Sequence, residues 1–168
     1  MNIPDGAPPV PPDPQKLRLV ELTAPDADAD LLLAAHVAVM RAQTPAESCH
    51  VMTSADLRAS GARVFVGRDA AGQAVAVGAL KPMADRAAEL KSMHCLHARR
   101  GQGLGRALLV ALIARARADG IDRLWLETGS DAIFAPARGL YASEGFVPCA
   151  PFGAYTADPL SVFMTRAL

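Results

Sequence analysis

The chain has 168 residues, 51% hydrophobic and 20% charged, with 17 Lys and Arg against 17 Asp and Glu. That length suits one domain with a core of its own. Formal neutrality argues against the basic surface that nucleic acid or an acidic membrane requires. The longest apolar run, Ala107 to Ala114, falls far short of the roughly 20 residues of a membrane span. The start is acidic and proline-rich where a secretory signal is basic and then greasy. Cys49, Cys95 and Cys149 are too scattered for a disulfide framework or a zinc site. A cytoplasmic protein without a bound metal is expected.

Six of the 13 prolines fall within residues 4–14. Residues 1–16 therefore read as an extended, disordered tail, and 17–168 as one domain. Leu17–Leu22 alternates as a strand. Asp28 or Asp30 caps a helix running to about Ala42, with Leu31, Leu32, Ala35 and Val39 at helical spacing. Ser54 reads as the cap of a short helix, Ala55–Ala59, closed by Gly61. Arg63–Gly67, Gln73–Lys81 and Glu89–Leu96 form a meander of strands. Leu104–Ala118 is the longest helix, apolar around most of its girth. Then come a strand at Ile121–Glu127, a helix at Pro136–Ser143, and strands at Phe146–Cys149 and Ser161–Thr165. This order implies an α/β (α+β) domain, a mixed and mostly antiparallel sheet with helices on both faces.

The informative stretch is Arg99-Arg100-Gly101-Gln102-Gly103-Leu104-Gly105-Arg106, between a strand and the long helix. Glycines let main-chain amides turn toward a ligand, and the helix N-terminus behind them favours an anion. Flanking arginines add charge-assisted contacts to phosphate oxygens. A diphosphate cradle fits these features. A dinucleotide fingerprint would need a small residue at Arg106, and a nucleoside-triphosphate loop would need a Lys-Ser/Thr pair, which is absent. The spacing Arg-x-x-Gly-x-Gly, met by Arg100, Gly103 and Gly105, resembles instead the acetyl-CoA signature of the Gcn5-related N-acetyltransferases (GNAT). A tight strand-to-helix turn uses the same glycines for steric reasons, so the neighbouring motifs matter. Ala88-Glu-Leu-Lys-Ser-Met-His-Cys95 resembles the family's fourth strand. Ala137-Arg-Gly-Leu-Tyr-Ala-Ser-Glu-Gly-Phe146 resembles its A-x-x-L-Y-x-x-x-G-F segment.

The resemblance implies a GNAT fold of about seven strands and about four helices, splayed between the fourth and fifth strands. It implies acetyl-CoA as cosubstrate and direct transfer to a primary amine of a small molecule or peptide. The pantetheine arm would bond main-chain groups of Met93, His94 and Cys95. Arg100, Gly101, Gln102, Gly103, Leu104, Gly105 and Arg106 would wrap the pyrophosphate. Tyr141 stands at the usual general-acid position. Its bland alternative is an aromatic that packs helix on sheet.

Glu89 is the expected base, with Lys91 on its face; otherwise it is a strand-edge ion pair with Lys91 or Arg86. Glu127 is the rival base. Arg41, Glu47 and His50 lie where the family builds its acceptor wall, and Tyr155 could close over the acceptor. Arg41 and Glu47 would suit a zwitterion, or they are solvated loop charges. Many relatives have Asn where this chain has Phe134, which leaves that cofactor contact open. A homodimer is the family's common habit. A non-catalytic acyl-CoA-binding or regulatory module on the same fold is the alternative function.

Overall fold

β-branched and small apolar runs become the strands of one sheet, and the computed structural model describes residues 17–168 of it. The proline-rich segment read as a disordered tail lies outside the described residues. The strands are β1 Arg18–Glu21, β2 Arg63–Arg68, β3 Ala74–Met83, β4 Ala87–Cys95, β5 Arg123–Gly129, β6 Val147–Cys149 and β7 Ser161–Ala167. The helices are α1 Ala27–Gln43, α2 Ser54–Ala59, α3 Leu104–Ala118 and α4 Ala135–Ser143. The sheet order is β1-β2-β3-β4-β5-β7-β6. All neighbours run antiparallel except β4 and β5, which are parallel. The mixed, mostly antiparallel sheet expected from the element order is thus present.

Each face of the sheet has its own core. α3 lays Leu108, Leu109, Leu112 and Ala116 against Phe65, Leu80, Leu90, Leu124 and Met164. Truncating one of these leucines to Ala would cost about 2–5 kcal/mol through lost burial and the cavity left behind. Helix and sheet approach closely here, because a Cβ on Gly78 would lie 2.8 Å from Leu112 Cδ1. On the other face Ala29, Leu32 and Leu33 of α1 join Leu57 of α2 over Val64, Val66 and Val77.

Two helix starts differ from the sequence reading. Asp26, rather than Asp28 or Asp30, caps α1, its carboxylate accepting from the Ala29 N–H at 3.0 Å. Asp28 and Asp30 lie inside the first turn, where the helix dipole favours them without a capping bond. Thr53, rather than Ser54, caps α2 through a reciprocal capping box with Asp56. Ser54 is one residue inside, and its hydroxyl bonds Asp30 at 2.5 Å, tying α2 to α1.

The feature that positions the site is the parting of β4 from β5. Their ladder holds only Ala87 to Arg123, Ala88 to Leu124 and Glu89 to Trp125. β4 then continues to Cys95 and β5 to Gly129 without pairing. β4 also bulges, because Ser92 and Met93 face the single residue Gly78 between the pairs Ala79–Lys91 and Val77–His94. Ser92 takes φ 55° there, a conformation a non-glycine residue rarely adopts inside a strand. The bulge re-aims the β4 main chain at the point where β5 has left it.

Candidate active site

The parting opens a cleft of about 420 Å³ that runs from the N-terminal side of α3 to the loop before β7. Its two ends have different chemistry.

At one end, Gly101 and Gly103 have φ of 75° and 80°, and an added Cβ at either would meet nothing within 4 Å. Conformation, not space, demands glycine at both positions. Gly105 differs: in the first turn of α3, its added Cβ would lie 3.3 Å from Leu140 Cδ2, so it sets how closely α4 approaches. The first-turn N–H groups of α3 have no partners within the helix and face the loop with the positive end of the helix dipole.

The arginines divide their work. Arg99 donates to Asp69 at 3.2 Å and to Gln102 at 2.9 Å, which ties the loop to the β2–β3 turn. Arg106 pairs with Glu144 and donates to Ser143 at 2.9 Å, which clamps α3 to α4. Arg100 is exposed, lines the cleft, and has no acidic partner among the described residues.

His36 of α1 and His94 of β4 line the cleft with ring centroids 5.5 Å apart and planes tilted by 59°. Burial, with the charge of Arg100 nearby, holds both imidazoles down at about 4, so both are neutral in the physiological range. Burial pushes the neighbouring Cys95 thiol up to about 11, which leaves it a packing group and not a nucleophile. Tyr141 enters from α4, its ring edge-on to Phe146 and its hydroxyl 3.9 Å from Met93 Sδ. Burial raises its phenol well above the ordinary range, so it stays protonated.

At the other end, Tyr155 Oη donates to Glu89 Oε1 at 2.6 Å. Lys91 Nζ donates to the same Glu89 oxygen at 2.8 Å and to Tyr155 Oη at 2.9 Å. Both donors meet at one oxygen of the Glu89 carboxylate. Glu127, two residues beyond the end of the β4–β5 ladder, accepts only from the Ser161 hydroxyl, at 2.8 Å. Burial raises its carboxyl above the usual range, outweighing that bond and the pull of His50 and Lys91. His50 stands edge-on to Tyr155 at 5.0 Å. Apolar residues Val39, Met40, Val51, Ile133 and Phe134 wall the space between these groups.

The structure brings most of the sequence candidates into one place. Glu89, Met93, His94, Arg100, Glu127, Tyr141, His50 and Tyr155 line the cleft, whereas Cys95 and the loop residues Gly101, Gln102, Gly103, Leu104, Gly105 and Arg106, which follow Arg100 in the chain, are not among its lining residues. Arg41 and Glu47 are exposed and do not line it. Sequence reasoning missed His36, Ser161 and Asp69. His36 carried a signal, a polar residue four positions before Met40 on a helix face that reaches the core. Asp69 looked only like a turn residue. Phe134 presses on Gly129, whose added Cβ would fall 2.1 Å from the ring, so the aromatic replaces a polar contact with packing. No cluster of three or more metal-binding side chains occurs among the described residues, and none of their helices is long and apolar enough to cross a membrane.

A seven-stranded sheet parted between parallel fourth and fifth strands, with a glycine-led helix behind the gap, defines the acyl-transferring fold that the motifs suggested. The chain belongs to the acetyltransferase (GNAT) family, whose model matches residues 32–146, and is an acetyltransferase of that family. It is 40% identical over 136 residues to the uncharacterised N-acetyltransferase YsnE of Bacillus subtilis, covering 79% of this chain and 87% of that protein. It is 37% identical over 126 residues to an IAA acetyltransferase of Azospirillum brasilense, covering 74% and 80%. A GNAT family acetyltransferase from Elizabethkingia anophelis, solved with acetyl-CoA bound, shares the fold at a TM-score of 0.67 and 16% identity, covering 90% of this chain and 98% of that one.

Proposed function

We propose that the protein transfers an acetyl group from acetyl-CoA directly to the primary amine of a small molecule or peptide. The observation that carries this reading is the cleft itself: unpaired main chain and a helix N-terminus at one end, the buried Glu89 and half-buried Glu127 at the other, and Tyr141 also lining it. The free edge of β4 at Met93, His94 and Cys95 offers amides and carbonyls to the pantetheine arm, as an added strand would. Arg100, the loop amides from Gly101 to Gly105 and the first turn of α3 would hold the diphosphate, with Arg106 and Arg99 bracing that loop. A main-chain N–H at the Ser92 bulge is placed to meet the oxyanion of the tetrahedral intermediate.

An alkyl amine, with a reference pKa of about 10.4, arrives as an ammonium and must lose a proton before it attacks. Glu127 is the better acceptor of that proton. The Glu89 carboxylate already accepts from Lys91 and Tyr155, whereas Glu127 accepts from the neutral Ser161 hydroxyl and has its basicity raised by burial. The neutral amine then adds to the thioester carbonyl, and its second proton goes to restore Tyr141 once that phenol has protonated the leaving sulfur, while Glu127 passes its proton to solvent. The carbon–sulfur bond breaks, and the departing thiolate takes a proton from Tyr141. Glu89 acts as the fixed point that orients Lys91 and Tyr155. The protein is expected to act in the cytoplasm.

The test follows free thiol while acetyl-CoA and a panel of primary amines are incubated with the protein. Tyr141→Phe should lower kcat about 100-fold and leave CoA affinity within about twofold. Thiol release from no amine, or an unchanged kcat in Tyr141→Phe, would overturn the reading.

A further inference from the structure

The acceptor end of the cleft holds an uneven set of charges, and the imbalance bears on what can dock there. Glu89 and Lys91 cancel as a contact pair at 2.8 Å, with side chains only 8% and 10% exposed. Glu127 is left over as a half-buried carboxylate whose bonded partner is a neutral hydroxyl. Arg41, the cation best placed in the sequence to meet an acidic substrate, lies outside the cleft. Arg100 lines the other end, beside His36 and His94, where the cofactor phosphates would engage it. His50 stands edge-on to Tyr155 and lines the same cleft.

Resting on the acetyltransferase reading, we infer that the acceptor is a monocationic amine with an apolar or aromatic substituent and no carboxylate beside its amino group. The ammonium docks on Glu127, the one carboxylate of this end without a cation in contact. A substrate carboxylate at the neighbouring carbon would face Glu127 and Glu89 at close range. Among the described residues, Lys91 is the lysine or arginine that lines this end of the cleft. Recruiting it would strip Glu89 of its counter-charge inside the protein, which is far costlier than leaving the pair intact. Glu89 and Lys91 thus act as an excluding pair, neutral together and closed to anions. Apolar side chains also line the cleft, Val39 and Met40 from α1 and Val51 from the following loop, alongside the hydroxyls of Ser92 and Thr128. The apolar ones give an alkyl or aryl group a place to leave water.

The experiment compares phenethylamine with phenylalanine, which share the ring and the amine and differ by the carboxylate, and adds ethanolamine as a polar control. Each is titrated calorimetrically into CoA-loaded protein, so that no turnover intrudes. Phenethylamine should bind at least about tenfold more tightly than phenylalanine and at least about tenfold more tightly than ethanolamine. Glu127→Gln should weaken phenethylamine about tenfold while leaving phenylalanine no weaker. Lys91→Met should not restore phenylalanine binding. Equal or tighter binding of phenylalanine, equal binding of ethanolamine, or no binding of phenethylamine would each overturn the inference. The acetyltransferase reading fails separately: phenethylamine that binds selectively but releases no thiol from acetyl-CoA breaks that reading and leaves the docking argument standing. If CoA itself does not bind, the same titrations on the free protein decide the docking argument.

Discussion

The cofactor end of the cleft is made of main chain, two glycines with positive φ and the first turn of α3, whereas the acceptor end is made of side chains drawn from separate segments: His50, Glu89 and Lys91, Glu127, and Tyr155. The first is an arrangement of dipoles that survives many side-chain changes. The second is an arrangement of charges that a single substitution can unbalance. A site of this build would keep one cofactor across relatives while letting the acceptor change.

The sharpest way to break that contrast is to neutralise the unpaired carboxylate. Glu127→Gln should lower kcat/KM about 100-fold and abolish the acidic limb of its pH profile, which in the unaltered protein falls as pH drops through the raised carboxyl pKa. The same change should stabilise the fold at pH 7. A carboxyl whose pKa is raised on folding contributes stability that is fully present at low pH and lost as pH rises through the folded pKa. Glutamine never ionises, so melting temperatures should differ near neutrality and converge below about pH 4. A melting temperature that falls at pH 7 would show that Glu127 is a structural partner and not a strained base.

A smaller effect is expected where the main chain does the binding. Gly103→Val forces a β-branched residue toward φ 80°, at a cost of about 1–2 kcal/mol. That strain should raise the KM for acetyl-CoA about tenfold and leave kcat unchanged, as the loss of uniform binding does. A change confined to kcat would mean that the loop acts on chemistry and not on affinity.

The smallest effect tests the brace behind the loop. Asp69→Asn keeps the turn-capping oxygen that accepts from Ala71 and Gln73 but removes the charge that holds Arg99. The KM for acetyl-CoA should rise about two- to threefold, in line with a pair worth under about 1 kcal/mol. Acceptor KM should not move, and a shift there would mean that the two ends of the cleft are coupled.

How much of this was legible in the sequence follows from the same contrast. The glycines, the long helix and the Leu140-Tyr141 to Gly145-Phe146 segment are local signals, and each predicted the element or turn that is found. Glu89, Glu127 and Tyr155 were named singly as candidates. Their joint geometry was hidden, because Glu89 and Tyr155 lie 66 positions apart and meet only through the loop before β7. Spacing also could not show that Ser92 enters the left-handed region, since a bulge arises from the register of β3 against β4. Arg41 and Glu47 looked suited to an acceptor by charge and position in the chain. Arg41 lies in the last turn of α1 and Glu47 in the short turn beyond it, and both side chains are exposed.

The short ladder between β4 and β5 has a consequence for the mechanics of the molecule. Among the described residues, the ladder between the β1–β4 and β5–β7 halves of the sheet runs no further than Ala87 to Glu89 against Arg123 to Trp125. A ligand that fills the gap supplies the hydrogen bonds that a longer ladder would have made, and so becomes a temporary piece of the sheet. Amides of β4 beyond Leu90 that face the gap should then exchange with solvent freely in the empty protein and slowly in the filled one. The melting temperature would rise with cofactor concentration, as binding to the native state alone requires. In this fold the occupant of the seam is part of what holds the two halves of the sheet together.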